Sequence, residues 1–185
     1  MSRRWQVLLI ASLLPLCWLW MMAVHEFGHV AALYLTGGTV ARVVLNPLTI
    51  SRTDPGRDPA PTIVVWAGPC VGAALPLAAA VVARAIPFAR AYLFRFFAGF
   101  CLIANGCYIG AGAVDAVGDA RELLRLGMPR WLLGLFGIVT VPLGLYLWHG
   151  QGKYFARENA RPATAAVLFA LLLLTAVAEL IFSPE

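Results

Sequence analysis

The residues best equipped for chemistry are two histidines and a glutamate, written His25-Glu26-Phe27-Gly28-His29 inside an uninterrupted apolar stretch. On a helix, positions four apart lie about 40° apart around the axis and one turn along it, so both imidazoles can reach one metal ion. Glu26 projects roughly 60° from His29, within reach of a water at that metal rather than of the metal itself. Two imidazoles and a neighbouring carboxylate are the minimum for zinc-assisted hydrolysis, with the carboxylate as general base. Coincidence is the competing explanation, and its energetic cost argues against it. An ionisable residue at membrane depth costs about 2.5–3.5 kcal/mol on insertion scales, so such a residue is expected to serve a function. The chain has three histidines, and this motif holds two of them.

A catalytic zinc takes a third protein ligand and leaves its fourth position to water. The remaining candidates are Asp115, Asp119, Glu122, Glu179 and His149. Asp115 and Asp119 stand one helical turn apart and share a face. Asp115 is nearer the apolar run, while Asp119 follows a glycine where the backbone can bend toward a neighbour. The residues alone leave both open. His149 reads as an interface histidine, and Glu179 as a carboxylate reaching water from the end of the last apolar segment.

What positions these groups is a set of membrane-crossing helices. The 185 residues are 61% hydrophobic and 12% charged, with a mean hydropathy of +0.81; soluble domains run near 45–50% and 25%. Five apolar segments, Trp5–Leu35, Thr62–Ile86, Tyr92–Val114, Trp131–His149 and Ala163–Phe182, each approach the roughly 20 residues that cross a 30 Å hydrocarbon core. The expectation is an all-α polytopic membrane protein with about five transmembrane helices. The short connections leave no room for a separate soluble domain. Arg3 and Arg4 before an apolar run resemble a signal peptide, but no small-x-small site follows, so the run reads as a retained first helix. The net charge of +5 comes mainly from arginines at segment ends, which suits anionic headgroups. No basic stripe with interleaved aromatics argues for a nucleic-acid partner. Cys17, Cys70, Cys101 and Cys107 form no C-x-x-C pair and read as buried free thiols.

Between the spans the chain changes character. Thr36-Gly37-Gly38 stops the first helix with residues that tolerate positive φ. Thr39–Arg52 then carries Val40, Val43, Val44, Leu45 and Ile50 around Asn46-Pro47, which predicts a short β-hairpin. Its edge could receive an extended peptide by strand addition. Asp54–Pro61 reads as a polar, proline-rich surface loop. Ala67-Gly68-Pro69, with Gly72, Ala73 and Ala74, forms a small-residue patch suited to close packing against the metal-bearing helix.

Val24-His25-Glu26-Phe27-Gly28-His29, followed by Gly37-Gly38 and the strand-like Arg42–Leu48, resembles the site-2 protease (M50) family of intramembrane zinc metalloproteases. The resemblance covers about Val24 to Gly127, and Ala67-Gly68-Pro69 matches the small-residue patch common in that family. It implies a metalloprotease-like core over 1–127, comprising three helices and a membrane-associated hairpin, with two accessory helices over 128–185 in the same compact unit. It further implies one Zn²⁺ per chain, bound by His25, His29 and Asp119, with Asp115 the alternative, and Glu26 as the base. Asn105 would contact substrate backbone, and the hairpin around Asn46 would hold the unwound segment as an added strand. The implied activity is hydrolysis of peptide bonds in or near transmembrane segments. The expected partners are a transmembrane protein or peptide substrate and the lipid bilayer, with room for a regulatory membrane partner and no nucleic acid. No proline follows Asn105, and Ala120 stands where the family has glycine. The alternative is therefore a non-catalytic zinc-binding membrane scaffold or chaperone that retains the fold.

His25 lies about five residues past the midpoint of Trp5–Leu35, or roughly 7–8 Å from the bilayer centre at 1.5 Å per residue. The resemblance implies a multi-pass protein of a bacterial-type cell membrane, with the catalytic end toward the cytoplasm. Basic residues lean weakly the other way: eight flank the N-terminal side (Arg3, Arg4, Arg84, Arg90, Arg95, Lys153, Arg157, Arg161) against six, a bias too small to orient the chain.

Overall fold

The computed structural model describes residues 3–87, 90–156 and 161–182; Arg157, counted above among the flanking charges, lies outside them. In chain order the elements are α1 (Arg3–Leu35), β1 (Thr39–Val44), β2 (Arg52–Arg57), α2 (Pro61–Ala85), α3 (Ala91–Asp115), α4 (Gly118–Arg125), α5 (Arg130–Trp148), α6 (Gly152–Phe155) and α7 (Pro162–Phe182). Five of these, α1, α2, α3, α5 and α7, are long and apolar enough to cross a membrane. The fold is the expected helical multi-pass architecture with a two-stranded sheet after the first helix.

Local chemistry sets the boundaries. Gly37, at φ +80°, ends α1, and Thr36 donates to the Ala32 carbonyl with both its N–H and its Oγ1, at 2.9 and 2.8 Å. Pro61 opens α2 in the first turn, where its missing N–H leaves no intrahelical bond unmade. α2 lies against α1 and α3, α5 runs along α3, and α7 runs along α1. The α1–α7 seam is a zip of Leu9, Leu13, Leu16 and Cys17 with Ala165 and Leu168. Farther along, Trp20 Nε1 donates to Thr175 Oγ1 at 3.0 Å, so the two helices run parallel.

The α3–α5 seam works differently. A Cβ added to Gly110 would stand 3.2 Å from the Cα of Gly137, and one on Gly144 would stand 2.7 Å from the carbonyl oxygen of Gly99. Small residues thus let the two backbones touch, which replaces the hydrophobic drive that lipid does not supply. Val81, Val82, Ile138 and Leu174 point outward and exposed, as a hydrocarbon-facing surface requires.

The hairpin forms, but its second strand is not where the hydrophobic pattern places it. β1 pairs antiparallel with β2, Val44 opposite Arg52 and Thr39 opposite Arg57. The polar stretch Asp54-Pro55-Gly56, expected as loop, is therefore strand, and Ile50 lies exposed in the connection. Pro55 is accommodated because the register slips between Thr39 and Val40 and between Val40 and Arg42. A two-stranded edge with irregular register tolerates a residue that cannot donate. Asn46 serves this connection, its Oδ1 accepting the Leu48 N–H at 2.9 Å. The thiols also divide: Cys17 and Cys101 are buried, whereas Cys70 and Cys107 are exposed on helix surfaces.

Candidate metal centre

The α1 motif faces α2, the α3–α4 corner and the hairpin. His25, Glu26 and His29 are all buried. α2 approaches closely because Gly28 and Gly68 carry no side chain. A Cβ on Gly28 would overlap the carbonyl oxygen of Ala67, and one on Gly68 would overlap the imidazole of His29 and stand 2.8 Å from His25 Nε2. The space beside the two Nε2 atoms exists because position 68 is glycine.

The fourth element arrives by a sharp turn. α3 ends at Asp115, Ala116 and Gly118 both adopt φ +52°, and α4 begins. A left-handed alanine costs roughly 1–2 kcal/mol. The turn brings Asp119 back against α1. Tyr108 of α3 fixes that end, its hydroxyl oxygen accepting the Asp119 N–H at 3.1 Å.

Three ligand-type atoms converge there. Asp119 Oδ2 lies 2.9 Å from His25 Nε2 and 3.3 Å from His29 Nε2, and the two Nε2 atoms are 3.1 Å apart. Among the described residues this is the one His/Cys/Asp/Glu group close enough to hold a metal ion. Asp115 is exposed at the end of α3 and outside the group. Glu122 lines the neighbouring cavity and pairs with Arg125, while Glu179 is buried on α7 with Oε2 unpartnered. Neither of these nor His149 belongs to the group.

The opposite ring nitrogens are already committed. His29 Nδ1 donates to the Val64 carbonyl at 2.8 Å; a carbonyl oxygen only accepts, so Nδ1 carries the hydrogen. His25 Nδ1 lies 2.7 Å from Asn105 Oδ1. Because Asn105 Nδ2 donates to the Cys101 carbonyl at 2.9 Å, its oxygen faces the ring and His25 Nδ1 donates. Both Nε2 atoms thus turn lone pairs toward Asp119. Facing lone pairs and a carboxylate need a cation among them, either an imidazole proton making an ion pair with Asp119 or a metal ion. Burial opposes charge on Asp119, yet the hydrogen bonds to His25 and His29 hold its carboxyl down at about 2.

The donor set fits zinc. Ligand atoms on a tetrahedral zinc with bonds of about 2.0–2.1 Å stand roughly 3.3 Å apart, close to the three separations seen here. Imidazoles whose second nitrogen is tied to an acceptor are also the usual arrangement in zinc sites.

Two cavities meet at His25 and Glu26. One, of about 430 Å³, opens between α1 and α3 and is walled by Trp18, Met21, Met22, Ala104 and Cys107. The other, of about 580 Å³, is more polar, reaches His29 and Asp119, and is edged by Arg52, Thr53, Asp58 and Glu122. Asn105 borders the apolar cavity, its amide oxygen facing His25 and its amide nitrogen donating to the Cys101 carbonyl. Asn46 borders neither.

Several contributors carry no motif. Val64 acts through its backbone, which no side-chain pattern betrays. Tyr108, three residues past Asn105, shares that residue's helix face, and this spacing is the signal that could have found it. Ser51 and Thr53 reach Glu26 from the hairpin as alternate residues. Comparison with protein-family models, with curated proteins and with solved structures gave no significant match.

Proposed function

We propose that the protein is an intramembrane zinc metalloprotease of the site-2 protease type, cleaving peptide bonds in or near transmembrane segments of other membrane proteins. The observation that carries this reading is the convergence of His25 Nε2, His29 Nε2 and Asp119 Oδ2 beside the Glu26 carboxylate. His25, His29 and Asp119 would hold one Zn²⁺ per chain. Bound there, zinc would supply Lewis acidity toward a carbonyl and make water a nucleophile near neutral pH.

The chain's own groups do the rest. Asn105 and the Val64 carbonyl keep both imidazoles in the tautomer that presents Nε2. Glu26 takes a proton from the attacking water as its oxygen bonds to the scissile carbonyl carbon. It then gives that proton to the leaving nitrogen as the C–N bond breaks, leaving a carboxylic acid and an amine, between which the remaining proton equilibrates. The apolar cavity suits the side chains of a membrane segment, and the polar one admits water, so substrate and water reach Glu26 from different directions. On the family resemblance, the catalytic end would face the cytoplasmic side of a bacterial-type cell membrane.

The test is zinc content and turnover of the purified protein beside Glu26→Gln. A protease carries about one zinc per chain in both forms and cleaves an apolar peptide only as wild type. Zinc in both forms with no cleavage by either would instead identify a non-catalytic zinc scaffold.

A further inference from the structure

The carboxylate of Glu26 is gripped from outside its own helix. Ser51 Oγ donates to Oε1 at 3.0 Å and Thr53 Oγ1 donates to Oε2 at 2.7 Å. Ser51 immediately precedes β2 and Thr53 is the second residue of that strand, so an extended chain turns both side chains to one face. We propose that Ser51 and Thr53 are positioning residues for the base, and that the hairpin is thereby part of the reaction site. The inference rests on the protease reading given above.

The physical case begins with burial. Glu26 is 4% exposed, and a carboxylate taken out of water needs hydrogen bonds to stay charged. An arginine or lysine would supply them, but it would favour the charged form alone. Hydroxyls suit a group that gains and loses a proton, since each can donate to a carboxylate or turn and accept from a carboxylic acid. Each Glu26 oxygen also keeps a second lone pair for the proton of an attacking water. Two contacts, one per oxygen, fix the plane of the carboxylate, which a single contact would leave free to rotate.

The location adds a second consequence. Ser51 borders both cavities, and Thr53 borders the polar one. The base is aligned only while the hairpin is docked on α1, so whatever seats a substrate on the hairpin also seats it on the group that orients Glu26.

The experiment uses the full chain in detergent micelles with a quenched fluorogenic peptide carrying about 20 apolar residues. Ser51→Ala/Thr53→Val is compared with the conservative pair Ser51→Thr and Thr53→Ser. Three quantities are read: zinc per chain, kcat and KM, and amide hydrogen exchange over Arg52–Arg57 in the metal-free protein, the last also in Glu26→Ala. The double variant is expected to keep its zinc and lose about 100-fold in kcat, the scale of a small misplacement, with KM within about threefold. The conservative variants stay near wild type, and exchange rises in both the double variant and Glu26→Ala. Loss of zinc together with kcat, or an equal loss in the conservative variants, would overturn the positioning role. Turnover and exchange both unchanged would remove the clamp while leaving the protease reading intact. A wild type that binds zinc but cleaves nothing removes that reading, and the positioning role with it.

Discussion

His25 Nδ1 donates to Asn105 Oδ1 at 2.7 Å, joining the first motif helix to a residue 80 positions away. The bond decides which ring nitrogen faces Asp119. Removing it frees the ring to flip and lets either tautomer form. Asn105→Ala is expected to weaken zinc binding by about 10–100-fold, the usual range for loss of a partner behind a metal-bound histidine. Competition with a chromophoric chelator reads this directly, and unchanged affinity would remove Asn105 from the centre.

The two aspartates should separate cleanly. Asp119→Ala removes one of the three proposed ligands and should abolish stoichiometric zinc after mild chelation. Asp115→Ala, at an exposed helix end, should leave zinc and turnover within about twofold, as surface changes do. Metal analysis of the two proteins side by side is sufficient, and equal losses would contradict the geometry.

Gly68 sets the room beside the histidines. In Gly68→Ala the new methyl would occupy space held by both Nε2 edges, and the two rings are held from behind by Asn105 and the Val64 carbonyl, so neither can swing aside without losing a hydrogen bond. Zinc should be lost or bound at least tenfold more weakly, while the helical content measured by circular dichroism stays near wild type. Full zinc retention in Gly68→Ala would mean that α2 can retreat from α1, and that the close approach is not required.

Acid should act through Asp119 in the metal-free protein. Its carboxyl sits at about 2 in the folded chain against 3.8 ordinarily. A depressed pKa contributes stability in full above the unfolded value, and that contribution falls as the pH drops through the folded one. Asp119→Asn should therefore melt lower than wild type at neutral pH, with the gap closing between about pH 4 and pH 2. Thermal melts across that window test it; a gap that persists unchanged at the acid end would show that the ion pair is not its source.

Much of this architecture could be read from residue order. The five apolar runs, the Gly37 stop and the spacing of His25 and His29 are local signals, and each is visible within one or two turns. The partners of the motif are not local. Asp119 meets His25 only because Ala116 and Gly118 turn the chain back, and residue types leave that direction open. Ser51 and Thr53 were hidden for a similar reason. The second strand runs through Asp54-Pro55-Gly56, whose composition signals a loop, because pairing with β1 outweighs weak strand preference. Glu179, expected to reach water, is instead buried on α7. Hydropathy shows that a helix is apolar, not which of its faces is covered.

The Trp20–Thr175 bond changes where the bilayer's edge falls. α7 has 21 residues, about 31 Å of helix at 1.5 Å per residue, nearly the hydrocarbon thickness of about 30 Å. α1 has 33, or about 50 Å, so it must overshoot. With Trp20 level with Thr175, the middle of α7 lies beside Cys17, and His25 stands about 12 Å from the mid-plane, not the 7–8 Å that α1 alone implies. The histidines then lie near the margin of the membrane, where a helix captured by the proposed protease would fray. The last four carbonyls of any helix lack intrahelical partners. A segment presented there would arrive partly opened, and susceptibility would be set by how loosely its final turn is wound.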